Sequence, residues 1–504
     1  MSTEQSSIFR EGSRVVNPLR RTPRSSGGGF VDVSDPSTRS RQRRKFQSTL
    51  KKLELRLDDF DPAVRSETME KLKLLEVPGE DLQGRVNMHM HTFFSYHAAG
   101  WSPSRFAWEV RKTGLWSAGI IDFDGVDGIQ EFLKAAESLC IRATAGIEVR
   151  TFLHEFADVE IDSPGENGVH YIMGSGLVKL PATGTTEAGY LAKLRGISDQ
   201  RSRAIVERIN AALPVIAVDY DQVVRSRTPG GYASERHLTS AYLEKADAVF
   251  PDLEKLADFW AGLLDRPRAG VLALLPLRAA LAEAVRSKLM KKGGIGYLQP
   301  DSVSFPPTGE VYAWMKSCGA IPTDSWLDGT SAGEARAREL LECNRSLGAR
   351  ALNLIPDRNW NVKDPVDKRR KLENLARVVS LASEWHMPLN IGTEGNKAGL
   401  PFADDLVCPE LVPFKSGFLE GAKILVGHAV LARFADYDYC GSAAEGDFGG
   451  DIRSKNEFFA SVGSLPPVNA VLARQLRDLG PASALAALRA SSRRGVWTTV
   501  NPLF

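Results

Sequence analysis

Cysteine is scarce in this 504-residue chain: Cys140, Cys318, Cys343, Cys408 and Cys440 stand far apart, with no Cys-x-x-Cys pair. An odd, scattered set excludes a disulfide framework and a structural zinc site, and reads as the reduced thiols of a cytoplasmic protein. No run of roughly 18 apolar residues occurs, which excludes a transmembrane helix, so no membrane partner is expected. The first residues contain no apolar core of a secretory signal. No G-x-x-x-x-G-K-[ST] string is present; "GTEGNKAG" has the wrong spacing for a phosphate-cradling P-loop. What remains is an ordinary globular composition, 43% hydrophobic and 25% charged. A large core can be buried, in two to four domains or in one barrel with insertions.

Charge is unevenly placed. Residues 1–45 carry nine Arg and one Lys against Glu4, Glu11, Asp32 and Asp35, an excess of +6 in a chain whose formal total is +2. This stretch, with "SSGGG" and "RQRRK" (Arg41 to Lys45), has few large apolar residues and is expected to be a disordered basic arm. Such an arm can reach nucleic acid or an acidic partner, or act as a targeting peptide; a solvated tail is the simpler account. Ordered structure is expected from Phe46, with an N-terminal helical segment over 46–84. Asp61 followed by Pro62 marks a helix start there.

Histidine is also scarce, yet "VNMHMHTFFSYHA" (Val86 to Ala98) spends three of the chain's eight, His89, His91 and His97, within nine residues. Read as a strand, Val86, Met88 and Met90 share one face while Asn87, His89 and His91 share the other. A helix follows, capped by Ser102 and Pro103 and stopped by Gly114. "SAGIID" suits a buried parallel strand ending in Asp122. "DGIQEFLKAAESLC" is a helix, "ATAGIEV" a strand carrying Glu148, and "GVHYIMGSG" a fourth strand with His170. This βαβαβ order predicts an α/β fold with a parallel sheet or barrel, its active site at the carboxyl ends of the strands. Residues 183–294 read as mostly helical, an inserted cap. Alternation then resumes through "AIPTDSW", "RALNLIP" and "MPLNIG". The expected organisation is a barrel over 85–182 and 295–455, the cap, and a C-terminal helical extension over 456–504. A lone buried histidine is usually structural; a His-x-His at one strand end, with carboxylates at two more, points instead to metal.

These residues carry a family likeness. "HMHTFFSYHA" is similar to the first motif of PHP-domain (polymerase and histidinol phosphatase) proteins. "IIDFD", "AGIEV", "VHYIMGSG", "SERHLTSAYLEK" and "NIGTEGN" resemble later motifs in the family's order, over residues 85 to 400. The resemblance implies a distorted (βα)7 TIM-like barrel that binds two or three divalent ions, Mn, Fe or Zn, and hydrolyses phosphoesters. By position, His89, His91 and His97 match ligands and Glu148 the bridging carboxylate; His170 and His237 match histidines near the site. The departures are specific. Phe123 replaces a histidine, Trp326 stands near another, and Glu394 and Asn396 occupy positions of Asp and His. One or two ions are therefore expected in place of three.

Metal ligands of this kind lower the pKa of bound water from 15.7 towards about 7, producing a nucleophile at neutral pH. The expected metal set is His89, His91, His97, Glu148 and Glu394. Asp122, His170 and His237 are expected to take part in catalysis, and Arg236 to clamp a phosphate, although a surface arginine is the more ordinary reading. The expected substrate is a small-molecule or nucleotide phosphoester. Two other readings stay open: different hydrolytic or lyase chemistry on the same barrel, and a decayed site kept for binding. Phe93, Phe94, Tyr96 and Trp101 can shape a pocket or serve packing. His428 and Asp357 read as structural.

Overall fold

The computed structural model describes residues 36–75, 84–301 and 303–498. Residues 1–35 of the expected arm lie outside them. A helix, Pro36–Arg56, covers the remainder and takes in the "RQRRK" run, so helix begins before Phe46. Arg, Gln, Lys and Leu are good helix formers, so the run that carries the charge also favours helix. Asp61 caps the next helix, Pro62–Lys73, by accepting the Ala63 N–H at 2.8 Å.

Among the described residues seven strands form one sheet in sequence order: β1 Val86–Met90, β2 Ser117–Phe123, β3 Arg142–Phe152, β4 Val169–Ser175, β5 Ile321–Trp326, β6 Ala351–Leu354 and β7 Leu389–Ile391. β1 to β3 are parallel, as are β5 to β7. β4 is antiparallel to both of its neighbours, which corrects the expectation of a wholly parallel sheet. The reason lies in the connection. Between β3 and β4 there is one short helical turn, His154–Phe156, and no crossover helix of the kind a parallel partner needs. The reversal puts the start of β4, not its end, at the mouth of the barrel.

The sheet closes on itself beyond β7. Glu394 bridges Met90 in parallel fashion: its N–H donates to the His89 carbonyl at 2.9 Å, and the His91 N–H donates to its carbonyl at 2.8 Å. The result is an α/β fold, a nearly closed seven-stranded TIM-like barrel. β1 is buried along its whole length because both faces are covered. Helix Pro103–Thr113, between β1 and β2, starts where Ser102 accepts the Arg105 N–H and stops at Gly114, whose φ of 65° suits glycine.

Among the described residues helix Thr308–Ser317 leads into β5, and five helices precede it after β4: Thr186–Ala212, Glu235–Val249, Leu253–Leu264, Arg268–Leu274 and Arg278–Met290. They share an apolar core of their own around Trp260, Tyr242 and Leu281. A helix that the residue pattern did not reveal, Lys415–Ala435, lies directly on β7, with Gly421 against the Leu389 backbone. The later helices Ile452–Gly463, Ala470–Leu479 and Pro481–Arg494 join the same core.

Gly392 sets how closely β7 approaches β1. A β-carbon there would lie 2.5 Å from the His89 nitrogen and 2.6 Å from Asn87 Oδ1. The first is sheet backbone and the second is fixed by the Asn87 amide, which donates to Thr393 Oγ1 and the Phe402 carbonyl, so neither can move aside cheaply. Gly392→Ala is expected to reduce the unfolding free energy by about 2–3 kcal/mol. The urea midpoint reads this directly; an unchanged midpoint would mean that the seam yields freely.

Candidate metal centre

His89 and His91 face into the barrel from the end of β1, as strand alternation requires. Glu148 reaches the same point from β3, with Oε2 3.4 Å from His89 Nε2 and 3.3 Å from His91 Nε2. Glu394 arrives from the seam, where a group formed by His89, His91 and Glu394 has its ligand atoms within 4.8 Å of one another. All four side chains are buried. His89 Nδ1 and Nε2, His91 Nε2 and Glu148 Oε2 have no hydrogen-bond partner. Orphaned nitrogen and carboxylate atoms converging in this way fit a divalent cation, whose ligands are neutral imidazoles and carboxylates.

Two of these side chains, His91 and Glu394, are held from behind. The Ser95 hydroxyl lies 3.4 Å from His91 Nδ1, which leaves Nε2 for the centre, and the His91 ring stacks on Phe123 at 4.4 Å between centroids. Burial pushes the His91 pKa well down, so this ligand is neutral. Burial also opposes the charged form of His89, but Glu148 and Glu394 outweigh it and draw its pKa up. Burial raises the Glu148 pKa. Burial likewise opposes ionisation of Glu394, yet Arg358, 3.1 Å away, and His89 hold its pKa low. Glu394 has a φ of 63°, rare for a side chain that is not glycine, and such strain collects at functional sites.

The other expected site residues are placed differently. His97 is not in the cluster. Its ring stacks on Trp101 at 4.6 Å, its Nδ1 accepts the Ala99 N–H at 3.1 Å, and burial lowers its pKa to about 4. Asp122 does not face the centre either. Its oxygens accept from the Thr92 N–H and hydroxyl, both at 2.7 Å, and from Ser95 at 2.5 Å, so it shapes the loop after β1. His237 caps its own helix, accepting the Ser234 N–H at 3.1 Å through Nδ1, and packs edge-on against Tyr96. Arg236 does reach the cavity, paired with Glu283 at 2.6 Å and lying over the Tyr96 ring. His428 accepts the Tyr439 N–H at 3.1 Å deep in the core, a structural role. Ser331, in the string Gly329–Gly333 of G-x-S-x-G form, accepts the Glu334 N–H at 3.1 Å and builds no nucleophile elbow.

His170 is the sharpest correction. It lies one residue from Tyr171, which lines the cavity, and so faces the opposite side of the sheet. There Asp162 meets its Nδ1 at 2.9 Å and Asp324 its Nε2 at 2.7 Å. Burial opposes the imidazolium, but the two carboxylates overcome it and raise the pKa to about 10.

A cavity of about 450 Å³ opens above the centre, between the barrel mouth and the cap helices. Glu148, Glu394, Arg358, Asn353 and Asn396 line its lower end. Sequence reading missed Arg358, although its neighbour Asp357 stood out, and Arg150, although it shares a strand face with Glu148 two residues away. That period of two is a signal the sequence carries.

No family model matches the sequence, and no curated protein matches it. Among solved structures the chain is similar to an amidohydrolase from Chromobacterium violaceum with bound sulfate and no metal: 13% identity, 67% of this chain and 96% of that chain covered, TM-score 0.45. It is also similar to a protein from Bifidobacterium adolescentis provisionally classed as a metal-dependent phosphoesterase: 19% identity, 67% and 97% covered, TM-score 0.40.

The Asp162–His170–Asp324 clamp gives a pH signature. Its folded pKa of about 10 lies above the ordinary 6.5, so its contribution is complete below pH 6.5 and is lost as pH rises through 10. His170→Gln is expected to cost about 3 kcal/mol at pH 6, because two buried carboxylates lose their cation. Urea unfolding at several pH values should show the two proteins converging towards pH 10. Parallel pH curves would mean that His170 is neutral.

Proposed function

We propose that the chain is a metal-dependent hydrolase whose substrate is a phosphoester, of a small molecule or a nucleotide. One observation carries the reading: His89, His91, Glu148 and Glu394 converge at the floor of a cavity with ligand atoms that no hydrogen bond uses. The same residues stand at the positions through which the sequence resembles PHP-domain proteins. A divalent ion such as Mn, Fe or Zn held there supplies a water that ionises near neutral pH.

The chain's own groups do the rest. Arg358 and Arg236 present guanidinium donors to phosphoryl oxygens from the barrel and the cap respectively. Phe123 and Tyr96 wall the site and restrict water. Asp122 acts as a positioning residue through Ser95, whose hydroxyl lies 3.4 Å from His91 Nδ1. The proposal is for one ion. Phe123 occupies a position where the resemblance calls for an imidazole, and His97 lies outside the cluster of ligand atoms. These departures also favour a second reading, in which metal and barrel are kept and a different bond is broken.

Elemental analysis of protein purified without chelator, beside a His89→Ala/His91→Ala variant, separates the readings. The expected result is about one equivalent of Mn, Fe or Zn in wild type and almost none in the variant. Phosphate release from a panel of phosphomonoesters should fall with it by about a thousandfold or more. Metal without phosphate release would favour the second reading. No metal in either protein, even after incubation with these ions, would sink the hydrolase and leave a binding scaffold.

A further inference from the structure

The far end of the cavity has the opposite character. Arg150 from β3, Arg201 from helix Thr186–Ala212, Arg286 from helix Arg278–Met290, and Lys291 just after it surround Glu235 and Glu166. Lys291 lies 2.9 Å, Arg150 3.4 Å and Arg286 3.5 Å from Glu235; Arg201 lies 2.7 Å from Glu166. Glu283 serves both Arg286 and Arg236; Asp124, bonded to Ser198, and Asp162, held by His170, are the other acidic groups of this wall. Five cations therefore meet five carboxylates, of which Asp162 is already bound to His170. The hydrogen bonds say more.

Arg201 is only 5% exposed, yet its Nε and one terminal nitrogen donate to nothing, and the Nε of Arg286 is also unpartnered. Phe305 lies against both Arg201 and Arg150, at 4.6 and 5.2 Å from the ring centroid. An unpaired buried donor costs about 1–3 kcal/mol, more when charged. Here several remain, beside one another, on the wall of a cavity large enough to admit a ligand. Between this end and the metal ligands the lining is aromatic: Phe123 stacks on His91, and Tyr171 follows it at 5.9 Å.

We propose that Arg150, Arg201, Arg286 and Lys291 form a second anion subsite, and that the substrate carries an anionic group, phosphate or carboxylate, remote from the bond being broken. The subsite stands on this cluster alone; its assignment to a substrate rests on the hydrolase reading. The uncharged body of such a substrate would lie over Phe123 and Tyr171, with one end at the ligands on the barrel floor and the other under the cap.

Calorimetric titration of the full chain with inorganic phosphate, and separately with malonate, tests the subsite without any turnover. Saturable binding of at least one probe is expected, retained in His89→Ala/His91→Ala and weakened about tenfold in Arg286→Gln. Arg286 is partly exposed, so that variant should fold; Arg201→Gln, checked by circular dichroism, gives the second reading of the same effect. Binding of phosphate but not malonate assigns a phosphoryl group, and the reverse a carboxylate. Binding that vanishes in the histidine variant but survives Arg286→Gln would overturn the proposal, as would no binding to wild type. Loss of metal from the floor, by contrast, would remove the hydrolase and leave this result standing.

Discussion

Two backbone hydrogen bonds, His91 to Glu394 and Glu394 to His89, hold the barrel shut and build the candidate centre in one step. Residues some three hundred positions apart meet here, and only the sheet brings them together. The pairing needs room that Gly392 alone provides, since any β-carbon there would strike the His89 nitrogen. It also needs Glu394 in a left-handed conformation, a strain of about 1–3 kcal/mol. The strain is offset locally: Arg358 binds the carboxylate, and the backbone on both sides is tied to β1. Closing the barrel and presenting a ligand are thus the same event.

The cavity above that seam is electrically polar. Its floor gathers two carboxylates and two imidazoles, and its roof gathers guanidinium and ammonium groups against too few partners. Buried charge without a partner is expensive, and most of the protein avoids it. Arg65 with Glu131 and Arg433 with Glu137 are paired and carry no orphaned nitrogens. Other orphaned atoms of charged groups, such as Arg227 Nε and Asp404 Oδ2, stand singly, whereas several gather in the space between barrel and cap. Most of the roof cations belong to cap helices, so the insertion changes what the barrel can bind as well as how water reaches it. Arg150 is the exception; it stands on β3 two residues beyond Glu148 and links the two ends along one strand face.

Much of this was legible in the residues. Alternation placed His89 and His91 on one face, the run "ATAGIEV" carried Glu148 to a strand, and helix starts at Asp61 and Ser102 could be read from their chemistry. What failed was side, not position. His170 and Asp122 do lie near strand ends at the mouth, but a strand end offers two faces, and choosing between them requires knowing what packs outside. For His170 the outside holds Asp162 and Asp324, which come from a loop and from a strand far away in sequence. The direction of β4 was hidden for a related reason: a short apolar run looks the same in either sense, and only the missing crossover helix betrays it. His97 followed the histidine count, whereas its stacking on Trp101 depends on a loop path that no periodicity describes. Helix Lys415–Ala435 is apolar nearly all round because it is buried nearly all round, so it shows no amphipathic stripe to read.

Phe123 bears on what the centre is. An imidazole at this position would add a ligand; the phenyl ring instead covers the face of His91 at 4.4 Å and extends towards Tyr171. The position has not been emptied. Its volume is filled, and the filling fixes the orientation of a neighbouring ligand. Trp326, near another such position, turns outward into the core with Leu341 and Leu354 and does not face the centre. Of the departures that seemed to dismantle the site, one lies outside it and one supports it. A site in simple decay would have no reason to keep a ligand braced from behind or to leave buried donors bare at both ends of one cavity. The geometry joins a compact cluster of imidazoles and carboxylates to a larger pocket whose cations stand beneath the cap.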